Sequence, residues 1–360
     1  MNKNKLQDRI ISLKPYVYEK PSISAVSIKI LLLLLLQIIM LFITQSYNAV
    51  IVVCSSGIGA LIAGYIHYLF TRKKQFLSLT SMIQGIIIGM FLPETYPAAT
   101  AFFISLITLL IFKYVFEDSE NFWINVVCVS VLIAYFIGHR YFPGFLVTHD
   151  VLSGKNPSVS LINNGVFPVY DFDVSITGFL NASLFSKLKV TLPQGIISML
   201  CDTQSAIPAF RFNLLTIIAS IILFSDNSFN LLIPSIFLTV YAFLVRLFFP
   251  YAAGGEMNGG DILLAILTSG TLFAAVFMLQ WFGTHPMTVV GKIIYAVFAG
   301  ILAFFIAGSG TSPVGMIYVV LICNILNLMI RLIEELRMDK LIKRMAEVKS
   351  VEEVQNAGNN

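Results

Sequence analysis

The sequence predicts an all-α integral membrane protein: about ten transmembrane helices in two inverted five-helix halves, with one long external loop. Three observations carry this. Of the 360 residues, 57% are hydrophobic and only 12% are charged, about half the charged share of a soluble domain and too little polarity to cover a water-facing surface. Apolar runs of roughly twenty residues, the length that crosses a bilayer core, recur along the chain. A turn-rich stretch from 143 to 210 divides those runs five and five, and an odd number of spans per half forces the halves into opposite orientations. The same composition excludes a soluble enzyme, a disordered chain and a nucleic-acid binder, because a net charge of +4 is too weak and too dispersed for a phosphate footprint.

In chain order, the segment 1–25 carries Lys3, Lys5, Arg9, Lys14 and Lys20 and lacks the pattern of a cleavable signal peptide. The first half, 26–142, holds spans at about 26–45, 48–70, 77–93, 96–116 and 122–142. Gly57, Gly59, Gly64, Gly85 and Gly89 within it suit close helix contact in lipid. The second half, 211–333, holds spans at about 211–226, 229–249, 262–282, 290–307 and 313–333. The third and sixth spans are short. A tail at 334–360 continues a helical pattern with mixed charge, and Ile333, Leu336, Leu341 and Met345 form an apolar stripe for the membrane surface or a partner.

Orientation follows the basic residues of short loops. Arg72, Lys73 and Lys74, the N-terminal lysines, and Arg337, Lys340, Lys343 and Arg344 fall on one side of a ten-span chain. That side is expected to be the cytoplasm, with both termini in it. The acidic turn Glu117, Asp118 and Glu120 shares that side, but acidic residues count little in the rule. The halves share a faint internal likeness. Leu79-Thr80-Ser81 and Pro93-Glu94-Thr95 flank the third span as Leu267-Thr268-Ser269-Gly270 and Thr284-His285-Pro286 flank the eighth.

Few residues inside the spans can carry chemistry. Cys54, Cys128 and Cys323 lie in apolar runs and read as packing material. With Cys201 they make no metal-binding spacing, so no iron–sulfur centre is expected. His67 and His139 fall at span ends as polar anchors, and no haem is expected. No phosphate-binding loop occurs. Lys113 and Arg246 lie toward span ends, placed to snorkel. Gly254-Gly255 and Gly259-Gly260 lead into Asp261. Such a turn is either an anion seat at a helix start or a tight loop with an N-capping Asp.

The order and spacing of many weak motifs resemble RnfD and NqrB, membrane subunits of ion-translocating electron-transport complexes. The resemblance runs from about 25 to 335. It rests on Gly259-Gly260-Asp261, Ser269-Gly270, Phe277-Met278, Thr284-His285-Pro286-Met287-Thr288, Gly291-Lys292, Tyr295, Gly308-Ser309-Gly310, Pro313, Gly315 and Asn324. Leu92-Pro93, Lys113 and Asn125 extend it into the first half, and Asp202-Thr203 stands where the family often has Glu-Thr. The family usually has an Asp where this chain has His285, and paired glycines where it has Glu117-Asp118.

In that family an external Ser-Gly-Ala-Thr-Pro motif bears FMN on its threonine through a phosphoester. Here Asp150, Ser153, Gly154 and Pro157 match, Lys155 follows, and Asn156 replaces the threonine. An amide has no hydroxyl to esterify. The resemblance implies FMN or riboflavin held noncovalently; the alternatives are that the loop has lost flavin altogether or that Ser153, Ser158 or Ser160 carries the ester instead. The implied candidate cofactor residues are Asp150, Ser153, Gly154, Lys155, Asn156, Asp202, Thr203, Gly259, Gly260, Asp261, Thr284 and Thr288. Implied partners are sibling membrane subunits, an external flavoprotein subunit, a cytoplasmic NADH- or ferredoxin-linked module, and the lipid of a bacterial cytoplasmic (inner) membrane. The implied role is electron relay and scaffolding coupled to Na⁺ or H⁺ movement; the chain would not be catalytic alone. The alternative is a channel or transporter for a neutral solute or flavin, built on the same inverted-repeat fold without a redox role.

Overall fold

The computed structural model describes residues 22–71, 79–115, 124–144, 156–225, 228–252, 257–281, 283–308 and 312–357. Among these the ordered elements are helical, and no strand occurs. Five helical segments are long and apolar enough to cross a bilayer: Ile23–Ile43, Tyr47–Phe70, Ala98–Val115, Val289–Ile306 and Gly315–Lys340. Four shorter apolar helices accompany them: Leu79–Met90, Val126–Tyr141, Asn213–Ser225 and Leu232–Phe248. The chain is a multi-pass membrane protein.

The first half comprises α1 (Ile23–Ile43), α2 (Tyr47–Thr71), α3 (Leu79–Met90), α4 (Ala98–Thr108, prolonged by a π-helical turn Leu109–Val115) and α5 (Val126–Gly138). With 12 residues, α3 rises only about 18 Å, well short of a bilayer core. It packs tightly on α2 because its contact face is glycine. A Cβ on Gly85 would stand 2.5 Å from Ala60 Cβ, and one on Gly89 would stand 2.5 Å from Val53 Cα. Ser56 uses that closeness to donate to the Gly85 carbonyl at 2.8 Å, and Ser105 of α4 donates to the Ser56 carbonyl at 2.8 Å.

The connection carries α6 (Pro157–Asn163), α7 (Asp171–Leu180, prolonged to Leu188) and α8 (Ile196–Cys201). The second half comprises α9 (Asn213–Ser225), α10 (Leu232–Ala252), α11 (Ile262–Leu267), α12 (Thr271–Phe277), α13 (Val289–Ile306) and α14 (Gly315–Ala357). The span expected at 262–282 is therefore not one helix. It breaks at Thr268–Gly270, where Gly270 takes φ +66 against the Phe210 ring, a conformation glycine adopts without a Cβ penalty. Hydroxyls repair the break: Thr268 donates to the Leu264 carbonyl at 2.6 Å and Ser269 to the Ala265 carbonyl at 2.7 Å. Broken helices survive in membranes where neighbours satisfy the freed backbone in this way.

The halves meet at the inner ends of these short helices. Phe91, just past α3, stands edge-on to Phe273 of α12 at 5.5 Å and to Phe210 at 6.1 Å. The Asn125 side chain donates to the Met278 carbonyl at 3.3 Å, and Gln37 of α1 donates to Thr216 of α9 at 3.1 Å. One large apolar cluster runs through both halves, and a small second one joins α6, α8 and α11 through Leu161, Ile162, Phe167, Met199, Leu264 and Leu267.

One further expectation needs correction. Lys113 does not snorkel: it is buried, and its Nζ donates to Thr80, Ser81 and Gln84 at 2.7 to 2.9 Å, because the π-helical turn packs beside the start of α3. The tail continues helically, as its pattern predicts: α14 runs unbroken to Ala357, since no Gly or Pro interrupts it. Of the three cysteines read as packing material, Cys128 and Cys323 are buried, whereas Cys54 is exposed on α2.

Candidate functional site

Asp150, Ser153, Gly154 and Lys155, with the turns Glu117–Glu120 and Gly254–Gly255, lie outside the described residues. The remaining candidates fall in two places.

The first place is the corner where the connection lies on α11. Asn156 precedes α6 in a left-handed conformation, φ 54, which Asn tolerates better than most residues. Pro157 follows and has no N–H, so Ser158 offers the first amide of α6. That amide donates to Asp261 Oδ2 at 2.8 Å, while Asp261 Oδ1 accepts from Leu264 at 3.1 Å and caps α11. One buried carboxylate thus closes two helix starts. Of the two readings of the glycine turn, the structure shows the N-capping Asp, and its second oxygen reaches 103 residues back along the chain.

Gly260 sits against the end of α10, where Arg246 donates to the Gly260 carbonyl at 3.0 Å. A Cβ on Gly260 would collide with the Val245 carbonyl oxygen. Gly260 is therefore needed for close approach of the two backbones.

Asp202 and Thr203 follow α8. Asp202 receives both Arg211 Nε at 2.9 Å and Arg211 Nη2 at 2.6 Å, and Arg211 Nη1 donates to Ser46 at 2.5 Å. The pair is buried, with side chains 8% and 9% exposed. It ties the end of the connection to the α1–α2 turn. Thr203 donates to the Phe210 carbonyl at 2.9 Å. A cleft of about 200 Å³ opens beside it, lined among others by Phe167, Thr203, Gln204, Ser205 and Thr268. The connection forms one wall and the break between α11 and α12 the other.

The second place is the opposite end of that broken span. Thr284 donates to the Trp281 carbonyl at 2.9 Å. Thr288 caps α13 by accepting from Gly291 and donates to Glu334 of α14 at 2.5 Å. Glu334 also accepts the Met287 and Thr288 amides, each at 3.1 Å. His285 Nδ1 lies 2.9 Å from the Pro286 carbonyl, and burial holds its imidazole below the ordinary value, so it is neutral at neutral pH. The structure does not bring Thr284 and Thr288 to Asp261; they belong to a helix-capping cluster at the other end of the span.

Sequence reasoning missed Arg211, Glu334 and Asp173. Asp173 is buried and accepts four hydrogen bonds, from Thr177, the Gly195 amide, and the Ser198 amide and hydroxyl, at 2.6 to 3.1 Å. Burial works to raise its pKa, but the hydrogen bonds outweigh it and hold the carboxyl below its usual value. Burial, with Asp173 and Asp202 nearby, pushes the Cys201 thiol up, so it stays protonated and a poor nucleophile. For Asp173 and Arg211 the one available signal was a charged side chain in or beside the turn-rich stretch, and for Glu334 an acidic residue at the end of the last apolar run.

A family model described as NQR2, RnfD, RnfE matches residues 10–338. The chain belongs to the NQR2, RnfD, RnfE family. A relative within reach of direct comparison is a subunit of the proton-translocating ferredoxin:NAD(+) oxidoreductase complex of Clostridium ljungdahlii, 28% identical over 152 residues. That alignment covers 41% of this chain and 44% of the relative, so the chain spans under half of the curated relative it matches. In an NQR2, RnfD, RnfE chain, Asn156 offers an amide with no hydroxyl to form a phosphoester at that position.

Proposed function

We propose that this chain is a membrane subunit of an ion-translocating oxidoreductase complex of the bacterial cytoplasmic membrane, resembling RnfD. The carrying observation is the family match across 10–338, supported by the name of the Clostridium relative. In this reading the two halves are inverted five-span repeats, both termini are cytoplasmic, and the connection faces outward. The chain scaffolds sibling membrane subunits, with an external flavoprotein and a cytoplasmic NADH- or ferredoxin-linked module completing the complex, and Na⁺ or H⁺ is the coupled ion. A flavin at the connection, FMN or riboflavin, would be held noncovalently by Ser153–Lys155 with a sibling's surface.

The test is purification of the tagged chain from native membranes. Co-purifying redox subunits, and membrane vesicles that lose electron-driven ion uptake when the chain is deleted, are the expected results. A chain that purifies alone and whose deletion leaves that uptake unchanged sinks the reading.

A second reading has its own observation. α3 and the α11–α12 pair are short helices whose inner ends meet at Phe91 and Phe273, the arrangement of many solute carriers. In it the chain moves a neutral solute or flavin without redox partners. Flavin or urea uptake by proteoliposomes holding this chain alone supports it.

A further inference from the structure

Polar side chains buried without partners are rare in folded proteins and call for a specific occupant. The last span concentrates them. Asn324 and Asn327 of α14 are 0% and 1% exposed, and neither the oxygen nor the nitrogen of either amide has a hydrogen-bond partner among the described residues. Arg331 Nε is likewise buried and unpartnered among them, although its Nη2 donates to the His285 carbonyl at 3.1 Å. The three residues are spaced i, i+3 and i+7, which places them on one face within about 60° and along about 10 Å of the helix axis. Gln280 Nε2 is also buried and unpartnered, and it follows α12, which packs on α14.

The orphaned atoms discriminate between ligand classes. A cation would engage the two amide oxygens, leave their nitrogens bare and face the Arg331 charge. An anion would engage the nitrogens and abut the oxygens. Water both donates and accepts, and buried water commonly makes two to four bonds to groups of this kind. A stripe about 10 Å long accommodates some three waters at ordinary hydrogen-bond spacing of about 2.8 Å.

The stripe also has a direction. Asn324 lies in the middle of the Gly315–Lys340 span beside fully buried Cys323. Arg331 is only partly buried, and beyond it most side chains through Lys340 are exposed. We propose that Asn324, Asn327 and Arg331, closed together in this conformation, line an inlet that parts to take up water from the tail end of α14 and ends in the middle of the membrane. It admits water, and with it protons, to the level of the Met278 and Leu279 carbonyls, which Asn125 and Tyr295 cap at 3.3 and 3.2 Å. This holds whether the chain serves a redox complex or a solute pathway.

Cysteine accessibility in native membranes tests it, using the full chain with its four native cysteines replaced. Asn327→Cys is expected to react with a charged methanethiosulfonate, added from the tail side, at least ~10-fold faster than Leu328→Cys, because thiolate forms only where water reaches. Leu328 is 45% exposed on the lipid side and serves as the dry control. Equal rates overturn the inlet. Should those variants fail to fold, hydroxyl-radical footprinting of the unaltered protein decides. Oxidation of Cys323 by radicals from local water is expected, and Cys323 as inert as fully buried Met90 overturns the proposal. Asn327→Leu is expected to suppress that oxidation; unchanged oxidation would also overturn it.

Discussion

Asp261 accepts the Ser158 backbone amide at 2.8 Å and the Leu264 amide at 3.1 Å, so one carboxylate fastens the connection to the first half of the broken span. The bond joins the residue after Pro157 to the residue after Gly260.

Asp261→Ala is expected to destabilise the protein by about 2 kcal/mol, the sum of a lost N-cap and a lost charge-assisted bond. Asp261→Asn is expected to lose about half of that, because its single oxygen can accept at only one of the two helix starts. Thermal unfolding of the purified protein in detergent measures both, and an unchanged midpoint for the alanine variant would show that the cap is idle.

Asp202 and Arg211 make a two-point contact away from solvent. Removing either partner alone leaves a buried charge, which costs about 3–5 kcal/mol. The double variant Asp202→Leu with Arg211→Met is expected to be closer to the parent than either single variant. A double-mutant cycle on unfolding midpoints checks this, and simple additivity would contradict it.

Asp173 gives the connection an acid limit. Its carboxyl is held below the ordinary range, so its contribution is complete above the unfolded value of about 3.9 and fades as pH falls through the lower folded value. Amide exchange at Gly195 and Ser198, whose N–H groups it binds, is expected to lose protection in that acid window. Asp173→Asn is expected to remove the pH dependence while weakening protection at neutral pH.

Asn156→Thr tests the flavin attachment point. The position has φ 54, where a β-branched residue is strained, and the adjacent helix start is already bonded to Asp261. The variant, coexpressed with a flavin transferase, is expected to gain no FMN mass by whole-protein mass spectrometry. An added FMN would show that the connection remodels around a hydroxyl.

Much was determined by the sequence alone, and for a plain reason. A span must be apolar along its whole length, so helices such as α1, α2, α13 and the apolar part of α14 are written locally in composition. Asn156 is equally local, since the absence of a hydroxyl needs no fold to interpret. The tertiary structure decided the rest. Whether 262–282 is one helix or two depended on Gly270 meeting Phe210. Whether Lys113 reaches solvent depended on the start of α3 packing beside it and offering Thr80, Ser81 and Gln84. Asp261 and Ser158 are 103 residues apart, and Thr288 and Glu334 are 46 apart, so neither pairing left a trace in spacing. Hydrogen bonds and close backbone contacts are fixed by where distant segments pack, and that is information no single stretch of chain contains.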